Sequence, residues 1–343
     1  MSPRRVAVIR FSSVGDIVLT TPALHALKRA LPETEILYVT KPAMRPLIAH
    51  SPHVDSLVYL EKDESPANLA RRIRELEPDA LVDLHGTLRS RLLRWSLRGI
   101  RQVVWQKRPW GDNIPVRLGW RPYRAAMPIS DRYHAAMEAL VGESIPRGEL
   151  RYVVGSADQD EADRALRDVG VSHDEVLIGL SPGAKWETKR WPIERFCALA
   201  DRIHNSGWRV VVTGSRDEEA LSRAIIERVP AAVSLTGGLT LGALGGVIAR
   251  CTAFVANDSG PMHIARGLGV PTLAFFGTTD PKQFEFAGHA LMYASEPCSP
   301  CHFYGRERCP KGHFRCMTEL SVDSAWDALV GRVEQGRVPL VHA

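Results

Sequence analysis

The chain has 343 residues, 45% of them hydrophobic and 24% charged, with 44 Lys and Arg against 39 Asp and Glu for a net charge of +5. That length suffices for two domains with separate cores, and the composition excludes a disordered, collagenous or membrane-embedded chain. Only a short apolar run, Val6 to Ile9, lies between the N-terminal Met1-Ser2-Pro3-Arg4-Arg5 and Arg10. It is too short for a signal-peptide core, so a cytoplasmic protein is expected, with any membrane contact peripheral.

Residues 5–10 read as a strand, Phe11 to Asp16 as a loop, and Ile17 to Ala30 as one helix with apolar residues at helical spacing. Ile36–Val39 and Leu57–Leu60 are strands, Asn68–Leu76 a helix and Ala80–Leu84 a strand. After a stretch of turn residues and a polar helix at Asp158–Asp168, a second series begins. Strands are expected at Leu177–Leu180, Arg209–Thr213, Val233–Leu235, Ala253–Ala256 and Thr272–Phe276, the last completing the sheet. Helices are expected at Pro192–Ser206, Glu218–Arg228 and Leu241–Arg250, and a terminal helix at Ser324–Gln335. Alternation of this kind implies parallel βαβ units. The expected organisation is an α/β chain of two Rossmann-like doubly wound domains, 1–155 and 156–320, facing each other across a cleft, followed by a helix and tail at 321–343.

Asn257-Asp258-Ser259-Gly260-Pro261-Met262-His263 lies between a strand and a helix, with Pro261 expected at the first helical position. A helix mouth presents unpaired N–H groups and the positive end of the dipole, which suits phosphate. The loop Ser181 to Pro192 places Lys185, Lys189 and Arg190 beside Trp186 and Trp191, a composition suited to a diphosphate. Asp16, at an earlier helix mouth, suits either a general base for a substrate hydroxyl or an acid complementing the dipole. Asp217 and Glu218 follow a strand and suit a nucleoside contact or a cap on Ser215; Thr236-Gly237-Gly238 is a Gly-rich turn.

These residues carry a family resemblance. Arg10 to Ile17 with Thr21-Pro22, Pro182-Gly183-Ala184 to Pro192, Thr236-Gly237 and Asn257 to His263 resemble glycosyltransferase family 9, the bacterial heptosyltransferases of the lipopolysaccharide inner core. The resemblance implies a GT-B fold, a first domain for the acceptor and a second for an ADP-activated heptose or related sugar. Asp16 becomes the general base of an inverting displacement and Lys189 a contact to the diphosphate. Gly183, Ala184, Lys185, Asp217 or Glu218, Thr236, Gly237, Asp258, Ser259, Gly260 and His263 become donor contacts. Ala184-Lys185 stands where some family members have adjacent hydroxyl residues, so backbone N–H groups are expected to serve the phosphate there. No catalytic metal is implied.

From residue 84 to 111 there is no carboxylate, while Arg89, Arg91, Arg94, Arg98, Arg101, Lys107 and Arg108 alternate with Trp95, Trp105 and Trp110. Such a stripe suits an anionic glycolipid head group at a membrane surface, nucleic acid or simply a solvated helix face, and the resemblance, which implies a phosphorylated lipid acceptor and contact with the inner membrane, favours the first. Ser13, Gly15, His85, Arg89 and Arg91 are the acceptor candidates. Cys298, Cys301, Cys309 and Cys316, spaced C-x2-C-x7-C-x6-C, suit a structural zinc or iron site. Two competing readings stand beside transfer. One is a nucleotide-sugar epimerase of the same fold. The other is a nucleic-acid-binding protein without activity, against which two full Rossmann-like domains argue; no nucleic-acid partner is expected.

Overall fold

The computed structural model describes residues 2–105 and 127–336. They fall into two compact units, 2–105 with 127–155, and 156–336. No helix among the described residues is long and apolar enough to cross a membrane.

In the first unit, β1 (Arg5–Ile9), β2 (Glu35–Thr40), β3 (Ser56–Tyr59), β4 (Ala80–Asp83) and β5 (Arg101–Val104) form a parallel sheet in the order β3-β2-β1-β4-β5. Strands buried on both faces read as continuous apolar runs, as Val6 to Ile9 and Ala80 to Val82 do. The sheet is covered by α1 (Val14–Val18), α2 (Thr21–Ala30), α3 (Pro66–Glu75), α4 (Leu88–Ser96) and α5 (Ile129–Val141). The single helix expected over 17–30 is two helices. Pro22 has no N–H to return to the preceding turn, and Thr20 and Thr21 instead donate their hydroxyls to the carbonyls of Ile17 and Val18 at 2.7 and 2.8 Å. α4, β5 and α5 are not among the elements expected from the sequence. The two half-exposed strand and helix faces among them lack the long apolar periodicity of their neighbours.

The second unit opens with α6 (Ser156–Asp168) and holds β6 (Leu177–Ser181), β7 (Arg209–Val212), β8 (Val233–Ser234), β9 (Ala253–Asn257), β10 (Thr272–Phe276) and β11 (Ala290–Tyr293). Their parallel order is β11-β10-β9-β6-β7-β8, so β10 does not complete the sheet: β11, short and partly exposed, lies outside it. The helices are α7 (Ile193–Asn205), α8 (Glu219–Arg228), α9 (Leu241–Arg250), α10 (Gly260–Gly267), α11 (Arg315–Thr318) and α12 (Val322–Gly336). Pro192 is the residue before α7, not its first, and Pro261 is the second residue of α10. The terminal helix belongs to this unit's core, with Ala325, Leu329 and Val333 packed among Trp191, Phe196 and Phe275. Trp191 stacks on Phe275 at 4.1 Å between centroids and donates its indole N–H to the Leu320 carbonyl at 2.9 Å.

Strand order reverses beside β1 in one sheet and beside β6 in the other. The carboxyl ends of strands at such reversals are where open α/β sheets bind ligands.

Candidate active site

In the first unit, Ile9 of β1 is paired with Asp83 of β4, so the loops leaving the two strands start side by side. Arg10 is buried and donates Nη1 to the Leu84 carbonyl at 2.6 Å, while Phe11 meets the His85 ring edge-on at 4.9 Å between centroids. Asp83 is fully buried; its Oδ1 accepts from the His85 and Gly86 N–H groups at 2.9 and 2.8 Å, and Arg94 Nε lies 3.0 Å from Oδ2. Gly86, at φ +60°, makes the turn that this wrapping requires.

Asp16 sits in the first turn of α1. Its Oδ2 receives three donors: Arg10 Nη2 at 2.5 Å, Ser13 Oγ at 2.7 Å and Ser13 N–H at 3.2 Å. Oδ1 has no hydrogen-bond partner among the described residues, yet it is not among the buried unpaired atoms, so it is open to solvent in a side chain 29% exposed. Burial alone would push this carboxyl up. The Arg10 guanidinium and the Ser13 hydrogen bonds outweigh it and hold the group below the usual carboxylate range. Asp16 thus complements the helix mouth through one oxygen and leaves the other open.

Ser13 and Gly15 come to this edge with Asp16, and His85 joins them through Phe11. Arg89 and Arg91 lie on exposed turns of α4, and Arg89 Nη2 is already given to the Glu64 carbonyl at 3.1 Å. Lys107, Arg108 and Trp110 of the basic stripe lie outside the described residues. Arg10 escaped the reading as a site residue. Its signal is a cation ending a strand that is otherwise apolar.

In the second unit, Ser181 of β6 is paired with Ala256 of β9, which sets the loop after β6 against the mouth of α10. Asn257, fully buried, ties them: its Oδ1 accepts from the Trp191 N–H at 2.9 Å and its Nδ2 donates to the Pro182 carbonyl at 2.7 Å. Lys189 Nζ then reaches Asp258 Oδ2 at 2.6 Å, and Thr279 Oγ1 donates to the same oxygen at 2.6 Å. Burial would raise the Asp258 carboxyl, but Lys189 and then Thr279 and His263 hold it below its usual value. Ser259 precedes α10, yet its side chain makes no capping bond and its Oγ is buried without a partner among the described residues. Thr236 Oγ1 is buried and unpartnered in the same way. Buried hydroxyls are ordinarily paired, so these two are suited to a ligand. His263 is buried, with Phe284 edge-on at 4.7 Å.

The three loop cations have separate fates. Lys189 is in the site; Lys185 is exposed, over the Trp186 ring at 5.5 Å; Arg190 is spent on the Ala184 carbonyl at 2.9 Å and on Glu187. The two acids also separate. Asp217 is exposed, whereas the Glu218 carboxylate accepts from the Ser215 N–H at 2.7 Å and lies so close to Gly183 that a Cβ there would come within 1.9 Å of Oε1. Gly237, at φ +74°, donates its N–H to the Gly214 carbonyl at 3.0 Å and so brings the Thr236 turn to the same edge.

Arg266, one helical turn after His263, went unread in the sequence. It is 5% exposed, lies over the Phe286 ring at 4.6 Å, and has Nε and Nη1 unpartnered among the described residues. Burial lowers it to about 10, against the pull of Glu285 and Asp258.

The zinc or iron expected at the Cys-rich segment finds no support in the structure. Among the described residues no three His, Cys, Asp or Glu side chains are placed to hold a metal ion, and all four thiols are free. Cys301 Sγ is 3.1 Å from Thr278 Oγ1, Cys298 Sγ is 3.6 Å from His313 Nε2, and Cys316 turns into the hydrophobic core, where burial and then the other thiols push it up to about 12. The segment braces the loops that carry Lys189 and Thr279. The Thr188 hydroxyl and N–H both donate to the Arg306 carbonyl, at 2.9 and 3.1 Å, and the His302 N–H donates to the Thr278 carbonyl at 3.0 Å, next to the Thr279 that binds Asp258.

The model of glycosyltransferase family 9 (heptosyltransferase) matches residues 67–309. The chain is 29% identical over 316 residues to lipopolysaccharide heptosyltransferase 1 of Pseudomonas aeruginosa, a match covering 87% of this chain and 86% of that protein. Its fold is similar to that of a family 9 glycosyl transferase from Veillonella parvula (TM-score 0.81, 22% identity, 97% of this chain and 98% of the other). It is likewise similar to Escherichia coli ADP-heptose LPS heptosyltransferase II (TM-score 0.76, 21% identity, 96% and 99%).

Proposed function

This chain belongs to glycosyltransferase family 9, the heptosyltransferases, and from that premise we propose that it moves a heptose from an ADP-activated donor to a hydroxyl of a lipopolysaccharide inner-core or similar glycolipid acceptor, with inversion. Its two parallel α/β units are the Rossmann-like domains of a GT-B fold. Family membership favours transfer over the epimerase and nucleic-acid readings. The donor is suggested by the Escherichia coli neighbour, named for ADP-heptose, and the acceptor by the Pseudomonas aeruginosa relative, named for lipopolysaccharide.

In this reading Asp16 Oδ1 takes the proton of the acceptor hydroxyl. The acceptor oxygen forms its bond to the anomeric carbon as the bond from that carbon to the diphosphate oxygen breaks, on the opposite face. The negative charge that develops on the leaving diphosphate falls to Lys189 and the α10 mouth, where Ser259, Gly260 and His263 stand. Glu218, turned to Gly183, is the nucleoside contact, in preference to the exposed Asp217. Arg266 supplies a second cation beside Asp258. Ser13, Gly15 and His85 line the acceptor side.

The observation that carries the reading is the division of labour at Asp16: three donors on one oxygen and none on the other. A base needs its carboxylate fixed and one lone pair exposed, and Asp16 meets both conditions. The test is Asp16→Asn, which keeps the shape and removes the base. Transfer from ADP-heptose is expected to fall roughly 10²- to 10⁴-fold, with ADP binding retained. Turnover close to that of the unmodified enzyme overturns the assignment.

A further inference from the structure

Helix α4 buries one side and leaves the other bare. Ser90 and Leu93, with Leu97 just beyond the end, are fully buried. On the opposite side Leu88 is 72% exposed, Leu92 47% and Trp95 65%. At about 100° per residue these three fall within an arc of roughly 60°, a single stripe along the helix. Cations border it: exposed Arg91 and Arg98 on one flank and exposed Arg89 on the other, with the Arg98 guanidinium 4.9 Å over the Trp95 ring. No carboxylate occurs from residue 84 to 111 to offset them. The nearby Glu64 gives its own carboxylate to Arg72 at 3.0 Å.

We propose that this face of α4 is the surface by which the protein docks on an anionic lipid bilayer. The chemistry is that of an interfacial helix. A narrow apolar stripe enters the headgroup boundary, a tryptophan sits at that level, and arginines reach to the lipid phosphates. The charge argues against self-association, since two copies of a stripe bordered by Arg89, Arg91 and Arg98 repel. The position agrees with the site. α4 follows directly from the Leu84–Gly86 loop that Arg10 and Phe11 grip, so the stripe starts at the sheet edge that holds Asp16. That agreement rests on the glycolipid reading of the acceptor; the docking test does not.

The full-length protein is sedimented with phosphatidylglycerol–phosphatidylcholine vesicles and with pure phosphatidylcholine vesicles. Binding to the anionic vesicles alone, weakening with salt, is expected. Leu92→Ser with Trp95→Ser should lower the partition coefficient about tenfold or more. Because both side chains are exposed, the melting temperature and transfer to a delipidated acceptor should stay unchanged, while transfer to the same acceptor in vesicles falls. The proposal is overturned if the unmodified protein ignores anionic vesicles, if the double variant binds as well as the unmodified protein, or if the substitutions change the oligomeric state instead. Vesicle binding without sugar transfer leaves the surface standing and removes the enzymatic reading; transfer without vesicle binding does the reverse.

Discussion

At the scale of a residue, Asp16 is held through one oxygen and open at the other. Oδ2 is held by Arg10 and Ser13, and the same contacts keep the group ionised against its burial. A base with a depressed value is weak in water. It suits a displacement in which the acceptor hydroxyl becomes strongly acidic only as the new bond forms. The sign for stability follows: a depressed folded value stabilises the fold above the unfolded carboxylate value of about 3.9, and that contribution is lost as pH falls through the folded value. Activity should share the limit, with an acid limb below the usual carboxylate range. Arg10→Gln should move that limb upward and lower transfer roughly ten- to hundredfold, the scale of a lost charged hydrogen bond. A pH–rate profile of the variant checks this, and an unshifted limb contradicts it.

Among elements, the α10 mouth does not stand alone. It is completed by the β6–α7 loop, which Asn257 binds from within, and that loop is strapped from outside by the segment around Arg306. The close packing of Gly183 on Glu218 shows how little room the arrangement allows. Gly183→Ala sets a Cβ against the end of a flexible side chain, so the fold can yield by moving Glu218. The expected result is a melting temperature close to the unmodified one with a donor KM raised about tenfold, a loss the size of one hydrogen bond. Steady-state kinetics with varied donor, together with a thermal melt, check the pair of outcomes.

For the molecule as a whole, the two units carry separable tasks in this reading. ADP alone should therefore stabilise the full chain by about 2.7 kcal/mol at a hundred times its Kd. Asp16→Asn should keep that shift and Lys189→Ala should lose most of it. Lys189→Ala also leaves Asp258 as a buried charge without its partner, a cost of about 3–5 kcal/mol, so its melting temperature without ligand should fall as well. Thermal melts of the three proteins with and without ADP measure both effects. A shift lost in Asp16→Asn would place the nucleotide in the wrong unit.

What the sequence by itself determined is the set of local patterns. Doubly buried parallel strands demand unbroken apolar runs, so β1, β4, β6, β9 and β10 were legible, and with them the turns carrying Asp16, Lys189 and Asp258, because a turn at a strand's carboxyl end needs no distant partner to be recognised. The break at Pro22 was written in the chain and overridden by a helical periodicity that continues across it. Only the tertiary structure decided which residues meet. Lys189 reaches Asp258 because β6 and β9 are sheet neighbours, although β7 and β8 come between them in the chain. Arg10 closes on Asp16 because the loop leaving β4 supplies the Leu84 carbonyl that orients it. The cysteines had the spacing of a metal site, and the fold keeps their thiols near one another, with Cys316 packed against the core and no three side chains placed to hold an ion among the described residues. The stripe on α4 was visible as composition, and it became a face only once a helix fixed the angle between Leu88, Leu92 and Trp95.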